Sequence, residues 1–337
     1  MLMAGNLLFR AGIALALSAA TSLAADIKPP LGLLPIHWPA ENPYTVEKAE
    51  LGKLLYFDRR LSADNSVSCA SCHDPKFAFT DGAHVSTGIK GQKGGRSAPT
   101  VINRAYSLNQ FWDGRAATLE EQAKGPIQNP IEMGMTHIDV VAKLRAVPGY
   151  RVLFLKSFGT EEFTIDHMAK AIATFERTLL SGNSLYDRYK AGDKKALSSS
   201  QVRGLDIFFN KAKCDQCHEG INFTSNSYNN IGIGMDKSDP DEGRFAVTKN
   251  PAELGSFKTP TLRDIALTAP YMHDGSLKTL EEVVDYYDKG GNPHKNLDST
   301  MKKLNLTAQE KKDLVAFLRS LNGEGWQHIT APAKFPQ

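Results

Sequence analysis

All four cysteines of the 337-residue chain fall in two copies of one pattern, Cys69-Ala70-Ser71-Cys72-His73 and Cys214-Asp215-Gln216-Cys217-His218. C-x-x-C-H is the attachment pattern of c-type haem. Two thiols on one helical turn can each add to a haem vinyl group, and the histidine that follows is held under the ring as the proximal iron ligand. A zinc site made from two C-x-x-C pairs would not need a histidine after each. A thioredoxin-like redox pair calls for a βαβ context, which the flanking sequence lacks. The motifs therefore predict two covalently bound haem c groups. Cys69, Cys72 and His73 would hold one; Cys214, Cys217 and His218 would hold the other.

Haem c is attached outside the cytoplasm, and the first residues agree independently. Before Asp26 the only charged residue is Arg10; Ala11 to Leu23 is apolar or small, and the stretch ends in Ser22-Leu23-Ala24-Ala25. A short positive start, an apolar core and small residues before a cleavage point read as a secretory signal peptide over residues 1–25. The apolar core is shorter than the ~20 residues a membrane span needs. The expectation is a periplasmic protein with no membrane span after cleavage. Apolar residues make up 41% and charged residues 23%, which suits a folded globular chain rather than a disordered one. A formal charge of +3 offers no concentrated basic surface for nucleic acid.

The chain repeats itself around the motifs. Gly52-Lys53-Leu54-Leu55-Tyr56-Phe57 precedes the first, and Gly204-Leu205-Asp206-Ile207-Phe208-Phe209 precedes the second. Both are short amphipathic segments with helical period. From Phe163 to Tyr189, Ile165, Met168, Ile172, Phe175 and Leu179 follow i, i+3, i+4 spacing and predict a helix, interrupted at Gly182-Asn183-Ser184. Ala191-Gly192-Asp193 reads as a linker and Ser199-Ser200 as a cap for the next helix. Loops rich in Gly and Pro occupy 81–110 and 228–260, with little strand pattern. The fold class is mainly α, with two cytochrome c-like haem domains at 40–190 and 195–325, long loops and little β.

Further segments carry a resemblance. They are Ser97-Ala98-Pro99-Thr100-Val101-Ile102-Asn103, then Phe111-Trp112-Asp113-Gly114-Arg115 continuing to Asn129-Pro130-Ile131-Glu132-Met133, Phe175-Glu176-Arg177-Thr178-Leu179, and Thr259-Pro260-Thr261-Leu262-Arg263 running to Tyr271-Met272-His273-Asp274-Gly275. With the two haem motifs, their order and spacing from about 45 to 322 resemble the bacterial dihaem cytochrome c peroxidase and MauG superfamily. The resemblance implies a peroxide-reacting haem in the N-terminal domain and an electron-transfer haem in the C-terminal one. It makes Gln122 and Glu132 the distal polar pair over the first iron, suited to general acid/base transfer of a proton between peroxide oxygens. It makes Trp112 the aromatic between the haems. It also points to calcium between the domains, held by Ser97 and by the carbonyls of Thr268 and Pro270, oxygen donors that suit a hard cation. Ser97 stands where the family commonly has Asn.

Two departures bear on the branch. In peroxidases that need reductive activation, a distal histidine blocks the first iron; alignment on Gly94-Gly95-Arg96 puts Ile89 there, with His84 the only substitute ligand nearby. At the second iron the peroxidases use a methionine about fourteen residues after the position of His273. Here that count reaches Tyr287, where MauG-type proteins carry an axial tyrosine. Tyr286 is adjacent; Met272 and Met301 are other conceivable ligands but do not fit the spacing. The resemblance thus implies a peroxidase that reduces hydrogen peroxide with electrons from a small periplasmic cytochrome c or cupredoxin. A MauG-like enzyme that oxidises aromatic residues of a protein partner is the alternative, and a pure electron carrier is the third reading. Dimers occur in the family.

Overall fold

The computed structural model describes residues 27–337; the expected signal peptide at 1–25 lies outside the described residues. Eleven α-helices are placed: α1 (Val46–Phe57), α2 (Cys69–Cys72), α3 (Leu119–Gln128), α4 (His137–Arg145), α5 (Pro148–Phe158), α6 (Ile165–Arg177), α7 (Leu185–Lys190), α8 (Ser199–Asp206), α9 (Phe245–Thr248), α10 (Leu280–Asp288) and α11 (Ala308–Arg319). Two two-residue strands, β1 (Tyr228–Asn229) and β2 (Phe257–Lys258), pair antiparallel. The mainly helical class holds. No helix among the described residues is long and apolar enough to cross a membrane.

The repeated Gly-x-x-x-aromatic segments have one purpose in both halves. A Cβ at Gly52 of α1 would stand 1.9 Å from the carbonyl oxygen of Ala171 and 2.9 Å from Phe175 Cβ, both on α6. A Cβ at Gly204 of α8 would stand 1.9 Å from the carbonyl oxygen of Asp313 and 2.8 Å from Phe317 Cβ, both on α11. Each glycine lets two helices cross in backbone contact. Four residues on, Tyr56 meets Phe175 and Phe208 meets Phe317, each with ring centroids 5.2 Å apart.

The duplication extends well beyond these two glycine segments. Thr100 Oγ1 donates to the Ala78 carbonyl, and Thr261 Oγ1 to that of Asn222, both at 2.7 Å. Asn103 and Asp264 share a left-handed backbone, with φ of 59° and 58°. The turns Gln110–Ala116 and Tyr271–Leu277 close with matching bridges. Thr118 and Thr279 then cap α3 and α10 by accepting from Glu121 and Glu282 N–H. Residues 99–119 and 260–280 are therefore one backbone used twice.

Several local expectations are corrected. The helix read over 163–189 begins at Ile165 and ends at Arg177, because the Thr178 and Leu179 N–H groups turn back to the carbonyls of Phe175 and Glu176. Leu179 stays in the core although it has left the helix. α8 is capped by Ser198, whose Oγ accepts from Gln201 N–H, not by Ser199 or Ser200; Ser200 Oγ instead donates to Asp313.

The core forms two clusters, one around Tyr56, Phe79, Phe154 and Phe175, the other around Phe208, Phe223 and Phe317. Trp326, past the second cluster in sequence, packs into the first against Phe79 and donates its Nε1–H to Asp264 at 3.1 Å. Arg96 binds Asp241 through two hydrogen bonds of 2.6 and 2.8 Å and Asp113 at 2.7 Å, tying the halves together. Arg244 adds bonds to the Asp113 and Gly114 carbonyls.

Candidate haem sites and the wall between them

Each Cys-x-x-Cys-His motif faces its own cavity. The first, about 460 Å³, is lined by Cys69, Cys72 and His73. The second, about 710 Å³, is lined by Cys214, Cys217 and His218. All four cysteines are free thiols, so the motifs close no disulfides. The histidines are oriented alike. His73 Nδ1 lies 3.2 Å from the Phe79 carbonyl, and His218 Nδ1 lies 3.1 Å from that of Phe223. A carbonyl can only accept, so Nδ1 carries the proton and Nε2 keeps its lone pair for a metal. Burial favours the neutral ring in both, and pushes His218 down to about 4. Tyr56 Oη fixes the first motif by donating to the His73 carbonyl at 2.9 Å.

The surrounding charges test whether haem fits. Arg104 lines both cavities; its Nε donates to the Thr100 carbonyl at 2.7 Å, and among the described residues no carboxylate pairs with it. Lys258, 4% exposed, lines the second cavity, and its Nζ has no hydrogen-bond partner among the described residues. Burial pulls both cations' pKa values down, Arg104 to about 10. Buried charges normally come paired. A bound group bringing its own carboxylates would complete both, and haem carries two propionates. Free thiols, oriented histidines and orphan cations together fit haem. Sequence reasoning missed Arg104 and Lys258, since only tertiary burial distinguishes them from surface cations.

The first cavity also receives Gln122 from α3 and Glu132 from the turn after it. Asn129 Nδ2 donates to Glu132 Oε1 at 2.9 Å. Burial raises the Glu132 pKa, against smaller opposing pulls from Arg115 and Asn129. The Gln122 amide makes no side-chain hydrogen bond among the described residues. Ile89 is buried, but it stands behind Glu132: its N–H donates to the Glu132 carbonyl at 2.9 Å and its Cδ1 faces Gly134. It is not on the cavity wall. His84 is exposed and off the wall too, its backbone packed against Gly275.

The second cavity receives Tyr287, Met272 and Met301. Tyr286 points elsewhere, its Oη donating to the Ile231 carbonyl at 2.7 Å and accepting from Asn292 N–H at 3.1 Å. The Tyr287 hydroxyl has no hydrogen-bond partner among the described residues, and burial raises its pKa.

Trp112 lines both cavities. Its Nε1–H donates to the Ser97 carbonyl at 2.9 Å, and its own carbonyl accepts from Lys258 N–H at 2.7 Å. Ser97 N–H in turn donates to the His273 carbonyl at 2.7 Å. The indole is thus fixed by both halves. Ser97, Thr268 and Pro270 share the second cavity's wall. Among the described residues no group of three or more His, Cys, Asp or Glu side chains is gathered for a metal ion.

Residues 46–195 match the family model described as di-haem cytochrome c peroxidase, and residues 202–322 match that of cytochrome c. The chain is 44% identical to the methylamine utilization protein MauG of Methylorubrum extorquens over 85% of this chain and 81% of that protein. It is 42% identical to the cytochrome c551 peroxidase of Nitrosomonas europaea, covering 85% and 83%. A solved MauG-like protein associated with microbial copper homeostasis superposes with a TM-score of 0.81 at 36% identity, covering 91% of this chain and 96% of that one. With its two haem motifs each facing a cavity that fits the group, the chain is a member of the di-haem cytochrome c peroxidase and MauG family and an oxidoreductase with two c-type haems.

Proposed function

We propose that this protein reduces hydrogen peroxide to water in the first cavity, with electrons delivered through the second by a small periplasmic cytochrome c or cupredoxin. Haem, once attached, supplies the irons that bind peroxide and exchange electrons. The observation that carries the reading is the polar wall of the first cavity, where Gln122 and Glu132 stand with His73. The Gln122 amide holds the peroxide by hydrogen bonds. The Glu132 carboxylate takes the proton from one peroxide oxygen and returns it to the other, so that the latter leaves as water. Burial brings this carboxyl closer to neutral pH, where a general acid/base works best. Two electrons and two further protons complete two waters per peroxide. Trp112, on both walls, shortens the path those electrons travel.

Exposed Lys213, Lys302 and Lys303 line the second cavity and suit a donor with an acidic face. A calcium ion held by Ser97 Oγ and the carbonyls of Thr268 and Pro270 would stiffen the boundary. Those two carbonyls accept no hydrogen bond among the described residues. Export to the periplasm, where haem c is attached, accords with the donor.

The test is stopped-flow mixing of the fully ferric protein with peroxide, with and without a reduced donor. Reaction without prior reduction, oxidising two donors per peroxide, is the expected result, since neither Ile89 nor His84 stands on the first cavity's wall to block it; a lag removed only by one-electron reduction would defeat this reading. Tyr287 favours a second reading, in which it ligates the second iron and the protein oxidises aromatic residues of a protein partner, as in MauG-like enzymes. A tyrosinate is a hard anionic donor that lowers the potential.

A further inference from the structure

The duplicated backbone exposes one pair of buried positions that the peroxide reading leaves unused. On the first cavity's wall stand Glu176 of α6 and Arg104. The same two places in the second half are Leu318 of α11 and Ile265, both on the second cavity's wall. One turn before them, Ile172 and Leu314 match as an apolar pair. The helix face is thus kept, and a carboxyl replaces a leucine on it in one half only.

Glu176 is 5% exposed, and its Oε2 has no hydrogen-bond partner among the described residues. The charged and titratable groups around it are Arg104, Tyr56 from α1, Cys69 from α2, Glu120 from α3 and Arg177 on α6 itself. Arg177 is committed to Glu120 by bonds of 2.6 and 2.9 Å. Arg104 has no carboxylate within 4 Å among the described residues. An unpaired carboxyl in such a place is costly unless it is neutral.

We propose that Glu176 is the proton-exchanging residue of the first haem's cavity: its carboxyl releases a proton when that haem gives up an electron and regains it when the electron returns, a coupling that Leu318 at the matching place cannot supply to the second haem. The electron passes to the oxidised second haem or to an oxidising electrode mediator. The O–H bond of the carboxyl breaks, the proton goes to solvent, and the cavity's net charge is unchanged. Burial supports the resting state, since it pushes this carboxyl up to about 8 against the pulls of Arg177 and Arg104. Positive charge growing beside it then favours the carboxylate.

The test is a spectroelectrochemical titration of the holoprotein's two haems between pH 6 and pH 9, with no peroxide and no partner protein. Its outcome is therefore separate from that of the proposed function. The first haem's midpoint should fall as pH rises, by up to about 59 mV per unit, one proton per electron. That slope should flatten in Glu176→Gln and in Glu176→Leu and persist in Glu132→Gln, with the second haem's pH profile the same in all three variants as in the unaltered protein. Redox-difference infrared spectra should show a protonated-carboxyl band lost on oxidation, absent in Glu176→Gln. A slope that survives Glu176→Gln, or one that Glu132→Gln removes instead, overturns the proposal. If the Glu176 variants fail to load haem, Leu318→Glu gives the reciprocal test: the second haem's midpoint should become more steeply pH-dependent than in the unaltered protein, and an unchanged slope overturns the proposal.

Discussion

At three matched positions the first cavity's wall carries a polar side chain where the second carries an aliphatic one, although one backbone builds both. Superimposed through the repeat, Gln122 of α3 falls on Val283 of α10, Arg104 on Ile265, and Glu176 on Leu318. A reverse exchange places Pro126 of the first half where the second half has Tyr287. Proline offers no side-chain donor to an iron, while a phenol does. A half that must admit and cleave a substrate needs hydrogen-bonding groups and a free coordination position. A half that only passes electrons is better kept dry, with its iron closed. The divergence of side chains on a retained backbone is what divides the labour proposed for the two haems.

The largest effect is expected at the cysteines of the second motif. Cys214→Ser with Cys217→Ser should remove one whole haem from the purified protein and leave the first half loaded; mass spectrometry and a haemochrome assay count the haems. Loss of both would mean that the halves do not acquire haem independently. Next in size is Glu132→Gln, which keeps shape and removes the proposed acid/base group. The rate of reaction with peroxide should fall by about 10²–10⁴-fold with haem content unchanged. A near-normal rate would place proton transfer on another group.

Tyr287→Phe should raise the second haem's potential by on the order of 0.1 V, within the ~0.8 V range that axial ligands command. Electron paramagnetic resonance should show that iron's oxygen ligation lost. Tyr286→Phe is the control, because its hydroxyl is spent on Ile231 and Asn292. If Met272→Leu or Met301→Leu has the effect instead, the second iron carries sulfur and the MauG-like reading falls. Smaller still, Gly52→Ala and Gly204→Ala should each cost about 1–3 kcal/mol by forcing a helix crossing apart. Thermal unfolding should show comparable losses in the two halves. The mildest change is Lys302→Glu with Lys303→Glu. It should slow oxidation of an acidic donor by about tenfold at low salt, and less as salt rises, leaving peroxide reactivity intact.

What could be read from the sequence followed from how local the cause was. The haem motifs are covalent chemistry at fixed spacing, so they were legible. Gly52 and Gly204 were visible because a helix crossing at backbone distance leaves room for nothing else, and an aromatic four residues on marks the same face. The remainder of the repeat was hidden, because 99–119 and 260–280 share turns and caps while their side chains have diverged. Trp112 falls on His273 in that repeat, a pairing no residue pattern announces. Ile89 illustrates the converse limit. Its place in the chain suggested a wall position above the first iron, but the turn carrying Glu132 comes between, and a backbone hydrogen bond fixes that order. Arg104, Lys258 and Glu176 look like ordinary charged residues until the fold buries them.

Trp326 carries a consequence for the order of events during biogenesis. It seals the first core, yet it follows the entire second half in the chain. Proteins emerge N-terminal end first and generally fold by units as they do so. Here the first core is complete only once residues beyond the later unit have emerged, so the two halves finish folding together although the motif of the first is made long before.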